Sequence, residues 1–237
     1  MYPERNFDAS DHHNFHDLHH FHDLHGRENH HPDPDHPDYD YTHSTDEPLK
    51  VHRPYLVFSP LLAVSHSGRL SILTDCGYAS QELRDIAQTG DNSALYEKLS
   101  SMQTGGHHVL SVSTASAPTG AGERTTLKLT VDCHHPYISV VAMIAPSPDW
   151  IVQVANVNMH RSLWFISGFR KSMSGYLYAY DAGTDDGTSF TDPSDPSLDK
   201  PSDPQLNIAP LRTEPFDPFH GQDVGQYEIR RVASYHP

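Results

Sequence analysis

The chain has 237 residues and a formal charge of −15, from 16 Lys and Arg against 31 Asp and Glu. That length holds one ordinary domain plus a long extension. The charge offers no basic face for phosphate, so it argues against nucleic acid and anionic membrane surfaces and favours cations and basic proteins as partners.

Residues 1–53 hold 12 of the 20 histidines, 12 acidic residues and only four Lys or Arg, with no hydrophobic period. They contain an imperfect six-residue repeat, Phe15-His16-Asp17-Leu18-His19-His20 followed by Phe21-His22-Asp23-Leu24-His25-Gly26. A Pro/Asp passage follows, His31 to Asp38, which reads as extended or polyproline II backbone. Such composition fits a solvated, disordered tail. It also fits a tail that binds zinc, copper or nickel, because neutral imidazole is the commonest nitrogen ligand for these ions. Helical spacing would bring His12 beside His16, and His16 beside His19 and His20. His22 and His25 repeat the pattern, and Asp17 and Asp23 could orient the rings.

From Pro54 the texture changes. Tyr55–Phe58 and Leu61–Val64 are short β-rich runs split by Ser59-Pro60, where a bend is expected. Ser80 is placed to cap a helix with Leu83, Ile86 and Ala87 on one face and Gly90 as its stop. Asn92 or Ser93 can cap a second, with Leu95, Leu99 and Met102 inward and Gly105-Gly106 beyond it. Strands then resume. Val109–Ser113 alternates, Thr125–Val131 puts Leu127, Leu129 and Val131 on one face, and Ile138–Ala145 is apolar enough to be a central strand. Tyr176, Tyr178 and Tyr180 share a face opposite Leu177 and Ala179, a stripe that reads as cross-strand packing. Residues 191–218 form a Pro-rich acidic loop with no core signal, and Gln226–Tyr235 is a last strand. The fold class is therefore all-β, a sandwich over 54–237 with two short helices and a His/Asp-rich extension over 1–53.

Two loops carry carboxylates. Asp149 lies between Pro148 and Trp150; Asp181, Asp185 and Asp186 follow a strand, with Gly183 and Gly187 supplying backbone freedom. Ordinary solvated turns would use the same residues. Carboxylates from two loops at one end of a sandwich also suit a hard cation, and calcium before others, because it takes six to eight oxygen ligands.

These residues also carry a resemblance. Ser147-Pro148-Asp149-Trp150-Ile151-Val152 and Tyr180-Asp181-Ala182-Gly183-Thr184-Asp185 look like the two signature segments of the spondin domain. Phe58-Ser59-Pro60-Leu61-Leu62 with Ser65-His66-Ser67 is similar to the family's opening strand. Gly77-Tyr78-Ala79-Ser80 with Leu83, Ala87 and Gly90-Asp91 resembles its helical insertion. The resemblance covers roughly residues 54 to 235. It implies an extracellular, C2-like antiparallel β-sandwich without enzymatic activity. Calcium would be held at one end by Asp149, Asp181 and Asp185; Asp186 stands where animal members commonly have a small residue. The thrombospondin-type repeats of those animal proteins are absent here, so their matrix and integrin partners transfer poorly.

Residues near Met1 lack the charged-then-apolar pattern of a secretory signal, so an extracellular reading expects the leader outside this numbering. No run approaches the roughly 18 apolar residues of a membrane-spanning helix, and no membrane insertion is predicted. Cys76 and Cys133 each follow an Asp at the end of a predicted strand; they read either as one disulfide of a secreted domain or as two buried thiols. No nucleophile elbow, Cys–His signature or phosphate loop is found, and the paired His107-His108 and His134-His135 lie near none. The sequence thus predicts a secreted, calcium-binding adhesion or matrix module with a metal-binding tail and protein, matrix or self partners. Two alternatives stay open: a structural subunit of a homo-oligomeric assembly held by the tail, and a His-rich metal carrier.

Overall fold

The computed structural model describes residues 12–19, 56–73, 77–106, 108–163, 166–191, 200–211 and 218–234, with backbone alone for 12–19, 162–163, 166–167 and 233–234. In chain order the strands and helices are β1 (His12–His19), β2 (Val57–Phe58), β3 (Leu62–His66), α1 (Gln81–Thr89), α2 (Ser93–Thr104), β4 (Val109–Thr114) and β5 (Thr119–Gly120). There follow β6 (Lys128–Asp132), β7 (Tyr137–Ala145), β8 (Trp150–Asn158), β9 (His160–Leu163), β10 (Ile166–Phe169), β11 (Ser172–Leu177), β12 (Ala179–Asp181), β13 (Ala209–Pro210) and β14 (Gly225–Ser234).

β7 is the spine. On one side it pairs antiparallel with β8, and on the other with β3 along Tyr137–Val141 and with β2 at Ile144 and Ala145. β2 and β3 therefore share one flank of β7, and the Ser59-Pro60 step between them is bridged by bonds from Ser59 to Met143 in both directions. β4 extends this sheet beyond β3, β5 beyond β2, and β12 and β13 beyond β8.

Side chains alternate across a strand, and β7 is apolar on both faces because both are covered. Ile138, Val140, Ala142 and Ile144 enter one core with Leu127, Leu129, Val131, Val152, Val154, Leu177 and Ile229. Val141 joins a second core with Leu62, Val64 and Ile151, roofed by Leu83, Ile86, Ala87, Leu95 and Leu99 of the two helices. The result is three layers: a smaller sheet, the β7 sheet, and the helix pair.

The helix ends follow from their sequence. Ser80 Oγ accepts from Leu83 N at 3.3 Å, and Gly90, at φ 73°, donates its N–H to Ile86 O, so α1 starts and stops where its residues direct. α2 is capped differently from expectation. Asp91 Oδ1 accepts from Ser93 N at 2.9 Å, while Asn92 turns away to bond Pro60 O and Thr114 Oγ1. Asn92 thus ties the helix layer to the sheet rather than closing its own helix.

Two regions depart from the sequence reading. The Pro-rich loop does reach the core: Ile208 is 1% exposed in the helix-side core, Leu211 lies in the sandwich core, and Ile208 N donates to Gly77 O at 2.8 Å. Two apolar residues separated by Ala209-Pro210 leave no periodic pattern for a sequence to display. In the extension, β1 lies between β6 and β14 and completes the smaller sheet, in the order β11-β14-β1-β6. Its backbone is a strand, so the helical juxtaposition of His12 with His16 is replaced by extended spacing. His20, His22 and His25 lie outside the described residues.

Candidate metal centre

Asp149 closes the turn between β7 and β8. Within that turn Ser147 Oγ donates to Ile144 O and accepts from Trp150 N at 3.0 Å, fixing the chain so that Asp149 points inward. Asp149 is fully buried. Its Oδ2 accepts three bonds, from Thr184 N at 2.6 Å, Thr184 Oγ1 at 3.0 Å and Asp185 N at 3.0 Å. Its Oδ1 is buried and meets no donor among the described residues.

Asp181 ends β12 opposite Trp150, so strand pairing itself brings the second carboxylate loop to the first. Asp181 Oδ1 accepts from Gly183 N at 2.6 Å. Gly183 lies at φ 70°, and a Cβ there would stand 2.3 Å from Leu206 O; the curl of this loop and its seat against 206–207 both require glycine. Gly187 is constrained likewise, its missing Cβ space taken by Pro148 Cγ at 2.6 Å.

Asp185 faces a third segment. Its Oδ1 accepts from Gly187 N and its Oδ2 from Lys200 N, each at 2.7 Å, and it forms a bridge with Pro201. Asp186 accepts from Ser202 Oγ. The 200–208 segment is held in turn by α1, through Arg84 Nη2 to Gln205 Oε1 at 2.9 Å, while Gln88 Nε2 reaches Thr184 O at 3.2 Å.

Burial first, and the Asp181 carboxylate second, push Asp149 up to about 7, against the opposing pull of the Thr184 and Asp185 donors. Burial also raises Asp181, with Asp185 and Asp186 adding repulsion and the Gly183 N–H working against it. Burial thus disfavours charge on both carboxylates, and one of them has a buried oxygen with no donor among the described residues. Carboxylate oxygens are ligands for calcium before zinc. Among the described residues no three His, Cys, Asp or Glu side chains converge on one point, and Asp185 spends one lone pair of each oxygen on backbone N–H groups.

Sequence reasoning named the three carboxylates but not their partners. Thr184 gives Asp149 two bonds, yet in the sequence it is one more small polar residue in a turn. His66 was also read only as part of a strand. It is fully buried, with Nε2 at 2.9 Å from Ser139 Oγ and Nδ1 at 2.9 Å from Ser67 O. A carbonyl only accepts, so Nδ1 carries the proton and Nε2 accepts from Ser139. Burial lowers the His66 pKa, and the ring is a neutral structural brace. Cys133 is an exposed thiol in the turn after β6; Cys76 and His107 lie outside the described residues.

The family model Spondin_N matches residues 39–228. The chain belongs to this family. The match starts before the expected Pro54 boundary, inside the histidine-rich extension. Spondin-2 of Homo sapiens is 35% identical over 143 residues, covering 60% of this chain and 42% of the relative. Spondin-1 of Gallus gallus is 26% identical over 196 residues, covering 79% of this chain and 23% of the relative. The chain thus spans less than half the length of the relatives it matches. Spondin-1 and Spondin-2 are secreted proteins, and this chain is an extracellular protein.

Proposed function

We propose that the chain is a non-enzymatic, spondin-type adhesion or matrix module whose acidic end takes up one calcium ion through Asp149, Asp181 and Asp185. The buried, donor-free Oδ1 of Asp149 carries this reading. A divalent ion there would supply the positive charge that burial and Asp181 deny the carboxylate, and would lock the two signature loops to each other. Binding the folded state alone, it would raise stability with ion concentration. The test is calcium titration by calorimetry of the wild type, Asp149→Asn and Asp181→Asn. The wild type should bind one ion, with affinity weakened at least about tenfold, or about 1.4 kcal/mol, in either variant. Equal binding by all three proteins overturns the assignment.

The histidines of the extension, His12, His16, His19, His20, His22 and His25, are proposed to bind zinc, copper or nickel independently of that end. A second reading, in which the extension joins copies of the chain into an assembly, would require β1 to exchange its pairing with β6 and β14 for the same strands of another copy. Particle mass with and without chelator separates them. Large chelator-sensitive particles favour the subunit, and a constant monomer favours adhesion. Cys133 is a free thiol in this structure; a disulfide with Cys76 is proposed to form on oxidation in the extracellular environment, and mass analysis of the non-reduced chain would reveal it.

A further inference from the structure

The net charge of −15 conceals a basic end. Arg161 on β9, Arg170 and Lys171 in the turn before β11, and Arg231 on β14 line a cleft of about 580 Å³ together with Gly168, Phe169 and Ser172. Four of the chain's 16 Lys and Arg thus meet in one place, and none of the described lining residues is acidic. The expectation that the chain lacks a basic face is corrected here. Arg161 lies nine residues before Arg170, and Arg231 lies sixty after Lys171, so no charge run marks them.

The cleft lies away from the carboxylates. β8 runs from Trp150, next to Asp149, to Asn158, just before β9. At about 3.3 Å per residue its nine residues separate the two ends by roughly 26 Å. The return path through β11 and β12 spans the same interval, from Lys171 to Asp181.

Arg161, Arg170 and Lys171 are exposed and Arg231 is half-buried, so the cations stand on an open surface rather than around an enclosed hole. Four like charges with no acidic residue among the described lining repel one another, and an extended anion laid across them removes that repulsion. Guanidinium forks grip planar or tetrahedral oxyanions by paired N–H bonds. Phe169, braced edge-on by His160 at 5.4 Å, adds an apolar wall beside them. A chain of −15 repels polyanions at long range, but screening beyond about 8 Å at physiological salt leaves the local field of the cleft in control.

We propose that this cleft binds a sulfated polysaccharide of the glycosaminoglycan class, the polyanion that an extracellular protein meets. The choice of occupant rests on the extracellular location; the cleft itself is independent of the cation site. The test uses the full chain at pH 7.5 and physiological salt, with a size-defined heparin oligosaccharide as probe, once in calcium and once in chelator. Chelator removes any metal bridge from the histidine tail, and binding that persists in it separates this proposal from the calcium reading. The combined variant Arg161→Ala, Arg170→Ala and Arg231→Ala should lose at least tenfold in affinity. Lys98→Ala, which removes a cation from α2, should bind as the wild type does, and a neutral dextran should not bind. Failure of the wild type to bind, an equal loss in Lys98→Ala, or full displacement by millimolar inorganic phosphate overturns the proposal.

Discussion

At one end of β8, Asp149 is sealed from solvent and accepts three bonds from the loop after β12; at the other, Arg161, Arg170 and Lys171 stand exposed around a cleft. The acidic end is part of the fold's interior, built from turns that pack backbone on backbone. The basic end is borne by side chains on a surface whose backbone needs none of them. Charge placed inside a protein must be compensated and so couples to stability, whereas charge on the surface couples mainly to binding.

The sharpest way to break the acidic end is Gly183→Ala. A methyl group 2.3 Å from Leu206 O, at a φ of 70°, forces the 181–186 loop off the 200–208 segment. The expected loss is about 4 kcal/mol or more, read by denaturant unfolding, and calcium binding should go with it.

Next comes Asp149 itself. Its folded pKa is about 7 against an ordinary 3.8, so between those values the folded protein holds a proton that the unfolded chain has released. Linkage then makes stability, without calcium, fall as pH rises from about 4 to about 7, by on the order of 3 kcal/mol. His66 works the other way: its lowered pKa means that its contribution is kept above 6.5 and lost as pH falls below it. The difference between wild type and Asp149→Asn, followed by melting at several pH values in chelator, cancels the His66 part. The wild type should gain stability relative to Asp149→Asn as the solution is acidified. In saturating calcium the wild type should no longer gain stability on acidification, because the bound ion keeps Asp149 ionised.

The smallest effect belongs to the other end. Arg231→Ala or Arg170→Ala should leave the melting temperature within about 2 °C of wild type, since neither cation compensates a buried group. A larger drop would mean that the basic end is structural too, and the contrast between the ends would fail.

Much of the fold was legible because its signals are local. The period-2 pattern of Leu127, Leu129 and Val131, the unbroken apolar run of β7, and the Ser80 and Gly90 ends of α1 each express one strand or helix in consecutive residues. The three carboxylates were legible for the same reason, since each sits in a turn rich in Gly, Pro and Asp. What stayed hidden needs contacts between distant segments. Ile208 is core only because Gly77 receives its backbone, and Thr184 matters only because β8 and β12 pair. β1 enters the smaller sheet with a composition that no strand propensity favours, because β6 and β14 offer it pairing on both sides. The basic cleft was masked by the opposite average.

The central claim, that the acidic end is built around a divalent ion, is tested most directly by the melting temperature of the wild type at pH 7.5 in excess calcium and in excess chelator. At about a hundredfold excess of calcium over Kd the account predicts a rise of roughly 5–10 °C, the equivalent of about 2.7 kcal/mol of binding linked to folding. An unchanged melting temperature would contradict it.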